Sequence, residues 1–370
     1  MRNKELDFLR GLAIVLVMMR HNRFESIISF GGGIGVDLFF VLSGFLVSGL
    51  LFDEYKKYGN IKPGLFLIRR GFKIYPSYFL ALGVAVVWLV VESHSKHTLV
   101  PWDKVVWSVL FLQNYFGGIL SPTWSLGVEE HFYIALAALV FWLTKNKSLT
   151  KHNKFLYLFF AVAVSAIGLR VITLATLPIS LENNRYPSHL RVDSLMFGAL
   201  IAFYYHFHRN RLDAFYFKYR APLLIGSAAI IWIPFWSGVP DYYTFSIEYT
   251  ILYIAFGSFM VALLIDPAAT KLLQRIISPY IFRLLAFTGL YSYNIYLWHT
   301  GTMRFLDKLL DKVAPTLKSN EWAYTALYFA FSLALGILLT YIIETPFLKL
   351  RDKYFPKRKK QAHEPVQAKS

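Results

Sequence analysis

The stretch GVDLFFVLSGFLVSGLLF, residues 35–52, carries a single charged side chain, Asp37, near its start. A run of about 20 predominantly apolar residues is long enough to cross a bilayer as a helix. Comparable runs recur along the chain, and the predicted spans lie at roughly 6–24, 35–53, 72–92, 124–143, 154–175, 188–205, 221–236, 247–265, 280–303 and 322–345. The sequence therefore predicts an all-α fold, a polytopic membrane helix bundle of about ten transmembrane helices.

The composition excludes several classes of protein. Hydrophobic residues make up 56% of the 370 residues and charged residues 16%, which lies outside the range of soluble globular domains. The absence of cysteine excludes disulfides, thiolate metal ligands and a cysteine nucleophile. A net charge of +17 would suggest nucleic acid in a soluble chain, but in a membrane protein basic residues mark the cytoplasmic side. We expect a membrane-lipid environment and no nucleic-acid partner.

The distribution of basic residues predicts the orientation. An apolar segment at 104–116 is ambiguous, and we interpret it as re-entrant or interfacial. With ten spans, 27 of the 39 basic residues then fall on the side of the termini and 8 on the other side. Both termini are therefore predicted to be cytoplasmic, in a multi-pass protein of the plasma membrane. Residues 1–348 form the predicted membrane domain, and residues 349–370, with KRKK at 357–360, form a basic cytoplasmic tail that contacts solvent or lipid headgroups.

Two polar residues of the first span predict a stripe through the membrane. Arg10 and His21 are eleven residues apart, which is roughly 20° beyond three full helical turns and about 16 Å of rise. Both side chains are thus expected on one face, with Arg10 towards the cytoplasm and His21 towards the outer surface.

Other charged residues lie at membrane depth, where each costs about 2.5–3.5 kcal/mol to insert and is by default a candidate for function. At the depth of His21 we expect a group that binds the acceptor substrate or assists catalysis: Asp37, Glu129, Glu130, Arg170, Arg191, Asp193 and His299. At the depth of Arg10 we expect Arg69, Arg70 and Lys73, which together would bind phosphate, although an arginine pair beside a span is also a common topology anchor.

A carboxylate beside an imidazole assembles a general base, because the carboxylate fixes the tautomer and stabilises the imidazolium. Glu129 or Asp37 could hold His21 in this way, although a histidine at the end of a span is sometimes only an interfacial residue. Of the adjacent acids Glu129 and Glu130, we expect one to cap the start of its helix and the other to take part in the function. Ser43 is either a small helix-contact residue or a nucleophile. The remaining histidines show no metal-ligand spacing, and we expect no metal site.

Several separated motifs resemble the membrane acyltransferase 3 family. They are Arg10 followed by His21, GVDLFFVLSGFL at 35–46, FLIRRGFKIYP at 66–76, WSLGVEEHFY at 124–133, RVDSLMFGAL at 191–200, YSYNIYLWH at 291–299 and IETPF at 343–347. The family's arginine-x-x-arginine pattern falls on Arg70 and Lys73, and the lysine keeps the charge but lacks the bidentate fork.

The resemblance implies transfer of an acyl group, commonly acetyl, from cytosolic acyl-coenzyme A to a hydroxyl of a carbohydrate or glycolipid acceptor, often displayed outside the cell. It also implies that His21 is the catalytic residue, as a general base or through a transient acyl-histidine. Many relatives continue into a soluble hydrolase-like domain. Because this chain ends about 20 residues after the last predicted span, we expect no peptidoglycan acetylation through such a domain. A membrane transporter and a non-catalytic sensor are the competing interpretations.

Overall fold

The computed structural model describes residues 3–22, 31–236 and 240–358, and its regular elements in these ranges are all helical. The α-helices are α1 (Lys4–Arg20), α2 (Ile34–Tyr58), α3 (Pro63–Lys96), α4 (Trp102–Val109), α5 (Gln113–Phe116), α6 (Trp124–Lys145), α7 (His152–Thr176), α8 (Leu181–Asn184), α9 (Val192–Phe207), α10 (Arg209–Trp232), α11 (Asp241–Tyr243), α12 (Tyr249–Ile265), α13 (Pro267–Ile277), α14 (Pro279–Thr288), α15 (Ser292–Val313), α16 (Pro315–Ser319), α17 (Glu321–Leu339) and α18 (Thr345–Tyr354). Short 3-10 turns lie at Ser121–Thr123, Ser188–Leu190 and Ile233–Phe235, and π-helical turns at Thr244–Glu248 and Thr340–Glu344.

Within the described residues, six helical segments are long and apolar enough to cross a membrane, judged by length and composition. They are Ile34–Tyr58, Pro63–Lys96, Ser121–Lys145, His152–Thr176, Asp241–Ile265 and Glu321–Tyr354. An all-helical fold with several candidate membrane-spanning helices is thus confirmed. The number of ten spans and the cytoplasmic location of both termini stay predictions.

The apolar helix α2, which contains the stretch at 35–52, lies at the centre of the bundle and packs against α1, α6, α9 and α12. Its closest neighbour is α9, because each helix places a glycine at the crossing point. A Cβ atom at Gly44 would lie 2.0 Å from the Leu195 carbonyl oxygen, and one at Gly198 would lie 2.1 Å from the Val41 carbonyl oxygen. Small residues that allow such backbone contact are a common basis of helix packing in membranes.

The ambiguous segment at 104–116 forms the two short helices α4 and α5, of eight and four residues. At 1.5 Å per residue the longer one rises only about 12 Å, which is too short to cross a hydrocarbon core of about 30 Å. Phe111, between them, has a positive φ of 59°. The segment is therefore not a continuous span, in agreement with the re-entrant or interfacial interpretation.

The predicted span at 280–303 is not one continuous helix, because two helices, α14 and α15, occupy it. The chain breaks after Thr288, where α14 packs backbone to backbone against α1. A Cβ atom at Gly289 would lie 1.8 Å from the Asp7 carbonyl oxygen, and one at Gly11 would lie 1.8 Å from the Leu285 carbonyl oxygen. As a consequence His299 lies early in α15 rather than late in a long span.

The predicted basic tail begins inside α18, and its described part contacts the connection between α2 and α3. Arg358 Nη1 lies 3.2 Å from Glu54 Oε1 and donates to Asn60 Oδ1 at 2.7 Å. Tyr58 donates a hydrogen bond to the Arg358 carbonyl oxygen. The tail up to residue 358 is thus docked on the protein, while residues 359–370, with the second half of the KRKK run, lie outside the described residues.

Candidate active site

A cavity lies between α1, α2, α3, α6 and α15, with about 910 Å³ of open space counting its mouth. Its apolar wall comes mainly from α2. The polar and charged residues that line it are Arg10, Ser43, Arg70, Lys73, Ser125, Glu129, Ser292, Tyr293, Tyr296 and Glu344. Three basic and two acidic side chains from four different elements thus converge on one enclosed space.

Arg70 is held in this cavity by contacts from α6. Its Nη2 donates to the Tyr133 hydroxyl at 2.7 Å, and its guanidinium lies over the Tyr133 ring, 4.5 Å from the centroid. Glu129 Oε2 lies 3.8 Å from the same Nη2. The Nε of Arg70 is buried without a hydrogen-bond partner among the described residues. Arg70 is therefore fixed in orientation while retaining a free donor.

Arg10 and Lys73 add positive charge beside Arg70. Arg10 Nη1 pairs with Asp7 Oδ1 at 3.1 Å, yet its side chain remains 30% exposed. Lys73 follows Arg70 by three residues, so both project from the same face of α3. Within the ranges that the structure describes, Lys73 forms no ion pair, although the Glu344 carboxylate is close enough to act on its charge. The predicted grouping of these three cations matches the observed geometry.

Arg69 lies apart from that group and does not line the cavity. It donates to the Phe355 carbonyl oxygen, and its Nη2 pairs with Asp352 Oδ1 at 2.8 Å. The reason is helical: adjacent residues of α3 point about 100° apart, so Arg69 turns towards α18 when Arg70 faces the cavity. The prediction that Arg69 binds phosphate with Arg70 is not supported by this placement.

His21 lies immediately after α1 and is half-buried. Its Nδ1 is 2.9 Å from the Val17 carbonyl oxygen and 3.3 Å from His299 Nε2. A carbonyl oxygen only accepts hydrogen bonds, so the Nδ1 of His21 carries the proton. The lone pair of His21 is consequently on Nε2.

His299 is fully buried and connects His21 with the cavity. Its Nδ1 is 2.6 Å from the Tyr296 carbonyl oxygen, so its proton is also on Nδ1 and its Nε2 accepts from His21. The Tyr296 ring lines the cavity, and its centroid lies 5.8 Å from that of His299. His21 itself does not line the cavity. His299 and Tyr296 lie between His21 and the cavity and link the two.

Neither predicted carboxylate lies against His21. Glu129 accepts hydrogen bonds from Tyr133 and, at 2.9 Å, from Ser43 Oγ, so it belongs to the Arg70 end of the cavity. Asp37 is paired with Arg191. The tautomer of His21 is fixed by the Val17 carbonyl of α1 instead of by a carboxylate.

The adjacent acids Glu129 and Glu130 do not cap a helix. They lie in the second turn of α6, which begins at Trp124 after a short 3-10 turn, so the expected cap was wrong by more than one turn. Glu130 Oε2 accepts from the Tyr75 hydroxyl at 2.9 Å, and its Oε1 has no partner among the described residues. Glu130 points towards α3 and does not line the cavity, whereas its neighbour Glu129 does.

Four of the residues predicted at the outer depth form a buried ion-pair cluster. Arg170 Nη2 donates to both carboxylate oxygens of Asp193, at 2.5 and 2.6 Å, and Arg191 pairs with Asp37. The four side chains are at most 1% exposed. The Arg191 guanidinium also lies 3.6 Å from the centroid of the Tyr249 ring. These groups are sealed from solvent, paired with one another and absent from the cavity lining, and they cross-link α2, α7, α9 and α12. This placement does not support the predicted roles of Arg170, Arg191 and Asp193 in substrate binding or of Asp37 in catalysis.

The sequence-based list of site residues omitted two that line the cavity, Tyr296 and Glu344, and one that holds Arg70, Tyr133. Tyr133 orients Arg70, Glu344 faces Lys73, and Tyr296 links the cavity to His299. Glu344 is an acid within an apolar segment and could have been selected by the same depth criterion. The two tyrosines carry no comparable signal, because tyrosine is common at membrane interfaces. Among the described residues, no group of three or more histidine or acidic side chains is arranged to hold a metal ion.

Comparison with known proteins identifies a matching family and several relatives. A family model described as an acyltransferase domain matches residues 3–341. The chain is 30% identical over 371 residues to the peptidoglycan O-acetyltransferase OatA of Listeria monocytogenes, covering 93% of this chain and 55% of that protein. It is 26% identical over 365 residues to a putative O-acetyltransferase of Staphylococcus aureus, covering 93% of this chain and 57% of that protein.

A shorter match lies in a putative peptidoglycan O-acetyltransferase, YrhL, of Bacillus subtilis. It is 34% identical over 142 residues, or 35% of this chain and 22% of that protein. The chain thus spans little more than half the length of the first two relatives. No solved structure matches the chain.

Proposed function

Because the chain belongs to the acyltransferase family, we propose that it is an integral membrane O-acyltransferase. It moves an acyl group, most simply acetyl, from acyl-coenzyme A to a hydroxyl of a carbohydrate that is exported or displayed at the cell surface. The family match over residues 3–341 supports acyl transfer, and the names of the relatives support an O-acetylated glycan. The competing idea of a transporter has no specific observation in its favour.

The donor binds in the cavity, with its phosphates on Arg10, Arg70 and Lys73. The residues present suit such a ligand, since Lys73 has no ion pair and the Nε of Arg70 is a buried donor without a partner, both within the described ranges. A phosphate would satisfy both groups, and an arginine fork matches phosphate geometry. Glu129 and Tyr133 position Arg70 rather than react.

His21 is the general base of the proposed reaction. Its Nε2 lone pair takes the proton of the acceptor hydroxyl as the hydroxyl oxygen bonds to the thioester carbonyl carbon. The carbon–sulfur bond then breaks, and the imidazolium returns the proton to the thiolate that leaves. In the alternative route, the same Nε2 attacks the thioester carbonyl carbon, the carbon–sulfur bond breaks, and an acyl-histidine forms as the thiolate leaves. The acceptor hydroxyl then attacks the acyl-histidine, the nitrogen–carbon bond breaks, and the hydroxyl proton passes to the thiolate.

The observation that carries this proposal is the connection from the cationic end of the cavity to His21 through Tyr296 and His299. The two ends lie on different turns of α1, with Arg10 and His21 about 16 Å apart along its axis. Acyl-coenzyme A matches this separation, because it has phosphates at one end and a thioester at the end of a long flexible arm. We infer that both groups serve one ligand, whose thioester reaches past Tyr296 towards His21.

The proposed orientation places the phosphate end at the cytoplasm and His21 near the outer surface of the plasma membrane. The excess of basic residues on the side of the termini supports it. Because the chain has no cysteine, a single cysteine at Lys147 or Ser319 tests it in whole cells with a membrane-impermeant maleimide. Labelling at position 319 alone is expected, and labelling at position 147 alone would reverse the orientation.

The central experiment is His21→Ala in purified protein incubated with labelled acetyl-coenzyme A and a glycan acceptor. Transfer should be lost while binding of the donor is retained, because the phosphate contacts are unaffected. His94→Ala, which changes an exposed histidine at the end of α3, is the control and should transfer normally. Normal transfer by His21→Ala would refute the assignment of the base, and an intact thioester in the wild-type reaction would refute the proposed activity.

A further inference from the structure

A second cavity lies where the short helices α4 and α5 meet the start of α6, with about 970 Å³ of open space counting its mouth. Ser121, Trp124, Glu182 and Tyr186 are among the residues that line it. Its size falls within the range for small-ligand sites. None of these residues takes part in donor binding or in the proton transfer described above.

The walls of this cavity present aromatic rings. Phe116 is 56% exposed and Tyr115 is 40% exposed, although both lie on the lining of a concavity. Tyr186 stacks on Trp124 with ring centroids 4.8 Å apart, which fixes the Tyr186 ring in place. Rigid aromatic rings with a polar edge suit ligands that have both apolar C–H faces and hydroxyls.

Polar groups lie between these rings. Gln113 is only 4% exposed, and its Nε2 donates to the Thr123 carbonyl oxygen at 2.8 Å. Its Oε1 is buried without a hydrogen-bond partner in the described part of the chain, which is costly unless a ligand donates to it. Lys104, Glu182 and Ser121 add a cation, an anion and a hydroxyl. Mixed donors and acceptors match the hydroxyls of a sugar better than they match a phosphate or an acyl chain.

The position of the cavity relates it to the reacting end of the first cavity. Trp124 lines the second cavity and Ser125, the next residue, lines the first. Ser125 Oγ lies 2.6 Å from the Tyr296 hydroxyl, beside His299. Arg185, adjacent to Tyr186, lies within electrostatic range of His21. Adjacent residues of α6 therefore line the second cavity and contact Tyr296, which links the first cavity to His21.

We propose that this second cavity binds the saccharide acceptor and holds it beside the site of acyl transfer. The inference rests on the proposed function for its role in catalysis, but binding of a saccharide does not itself require acyl transfer. The aromatic rings of α5 would pack against sugar rings, and the Gln113 carbonyl oxygen would accept from a sugar hydroxyl or amide. The segment at 104–116 would then contribute specificity rather than membrane anchoring.

The test uses Phe116→Ala in the full-length protein in lipid nanodiscs, with a β-1,4-linked N-acetylglucosamine tetrasaccharide as the probe. Binding is titrated calorimetrically without donor. The Kd should rise about tenfold, because an exposed aromatic contact is removed without opening the core. Phe305→Ala is the matched control, since Phe305 is also 56% exposed but does not line the cavity, and its Kd should equal that of the wild type.

Kinetics then separate this inference from the proposed function. With donor present, Phe116→Ala should raise the KM for the tetrasaccharide about tenfold while the KM for acetyl-coenzyme A stays within twofold. Equal loss of affinity in the Phe305 variant, or an unchanged Kd in the Phe116 variant, would overturn the acceptor site. Displacement of the bound tetrasaccharide by added phospholipid would identify a lipid site instead and would also overturn it. Saccharide binding that depends on Phe116 in a protein that never cleaves the thioester would refute only the proposed activity.

Discussion

The charged cavity and the buried ion-pair cluster use the same residue types at membrane depth, but they treat their charges in opposite ways. In the cluster, Arg170 and Asp193 are fully buried and paired with each other. In the cavity, Arg70 and Arg10 remain 19% and 30% exposed. Lys73 has no ion pair within the described ranges. Insertion of a charge into the membrane is costly in both places, but the charges of the cluster are sealed from solvent, whereas those of the cavity remain partly open to a ligand.

The difference shows that depth alone does not identify a functional charge. A buried arginine with a carboxylate and several other acceptors is satisfied by the protein, and Arg170 also donates to the Leu190 carbonyl and the Thr250 hydroxyl. A cation that also lines a cavity remains within reach of a ligand. Access to a cavity, which only the structure provides, separates these two cases.

The largest effect is expected on breaking the cluster with Arg191→Ala. The change leaves the Asp37 carboxylate buried without its cation, which should cost about 3–5 kcal/mol of stability. Thermal unfolding of detergent-solubilised protein measures the loss. The double variant Asp37→Leu with Arg191→Met should recover most of it, because removing both charges removes the penalty. A fully stable Arg191→Ala protein with weakened acceptor binding would instead make this cluster a binding site.

An intermediate effect is expected on removing Arg70 from the cavity. Arg70→Ala loses a charge-assisted contact with the donor, worth about 2 kcal/mol, and the KM for acetyl-coenzyme A should rise about 30-fold with the fold retained. Steady-state kinetics and a thermal unfolding curve measure both quantities. The neighbouring Arg69→Ala is the control and should change this KM less than about twofold, because Arg69 faces α18. Similar KM values for the two variants would contradict the assignment of Arg70, and not Arg69, to the donor site.

The smallest effect is expected from Lys73→Arg, which sharpens the comparison from the other direction. Arginine would add a planar fork to a position that already carries charge, so the donor KM should fall about threefold. Lys57→Arg, at the exposed end of α2, should leave it unchanged. A rise in the donor KM with Lys73→Arg would show that the compact ammonium is required there.

The sequence predicted much of the fold because long apolar runs have few alternatives in a membrane. The interruption of the predicted span at 280–303 escaped prediction, since its cause is the contact of Gly289 with the backbone of α1, which is remote in sequence. The same holds for the crossing of α2 and α9 at Gly44 and Gly198. Glycines of this kind are informative only once their neighbours are known.

The site was predicted in part. The depth argument grouped Arg10 with Arg70 and Lys73, which line one cavity, but it also included Arg69, which faces α18 instead. The carboxylate partner of His21 was predicted incorrectly, because pairing depends on which helices meet. Asp37 meets Arg191 across the α2–α9 contact. His299 was selected as an outer-depth residue, but its contact with His21 follows from the break before α15.

The direction of the hydrogen bonds around His21 has a consequence for energy conservation. Val17 and Tyr296 terminate the chain of imidazoles with backbone carbonyls, which accept hydrogen bonds but release no proton onward. Along these hydrogen bonds, a proton captured by Nε2 of His21 could move as far as His299 and no further. In the proposed orientation, the histidine pair would therefore conduct no proton from one side of the membrane to the other.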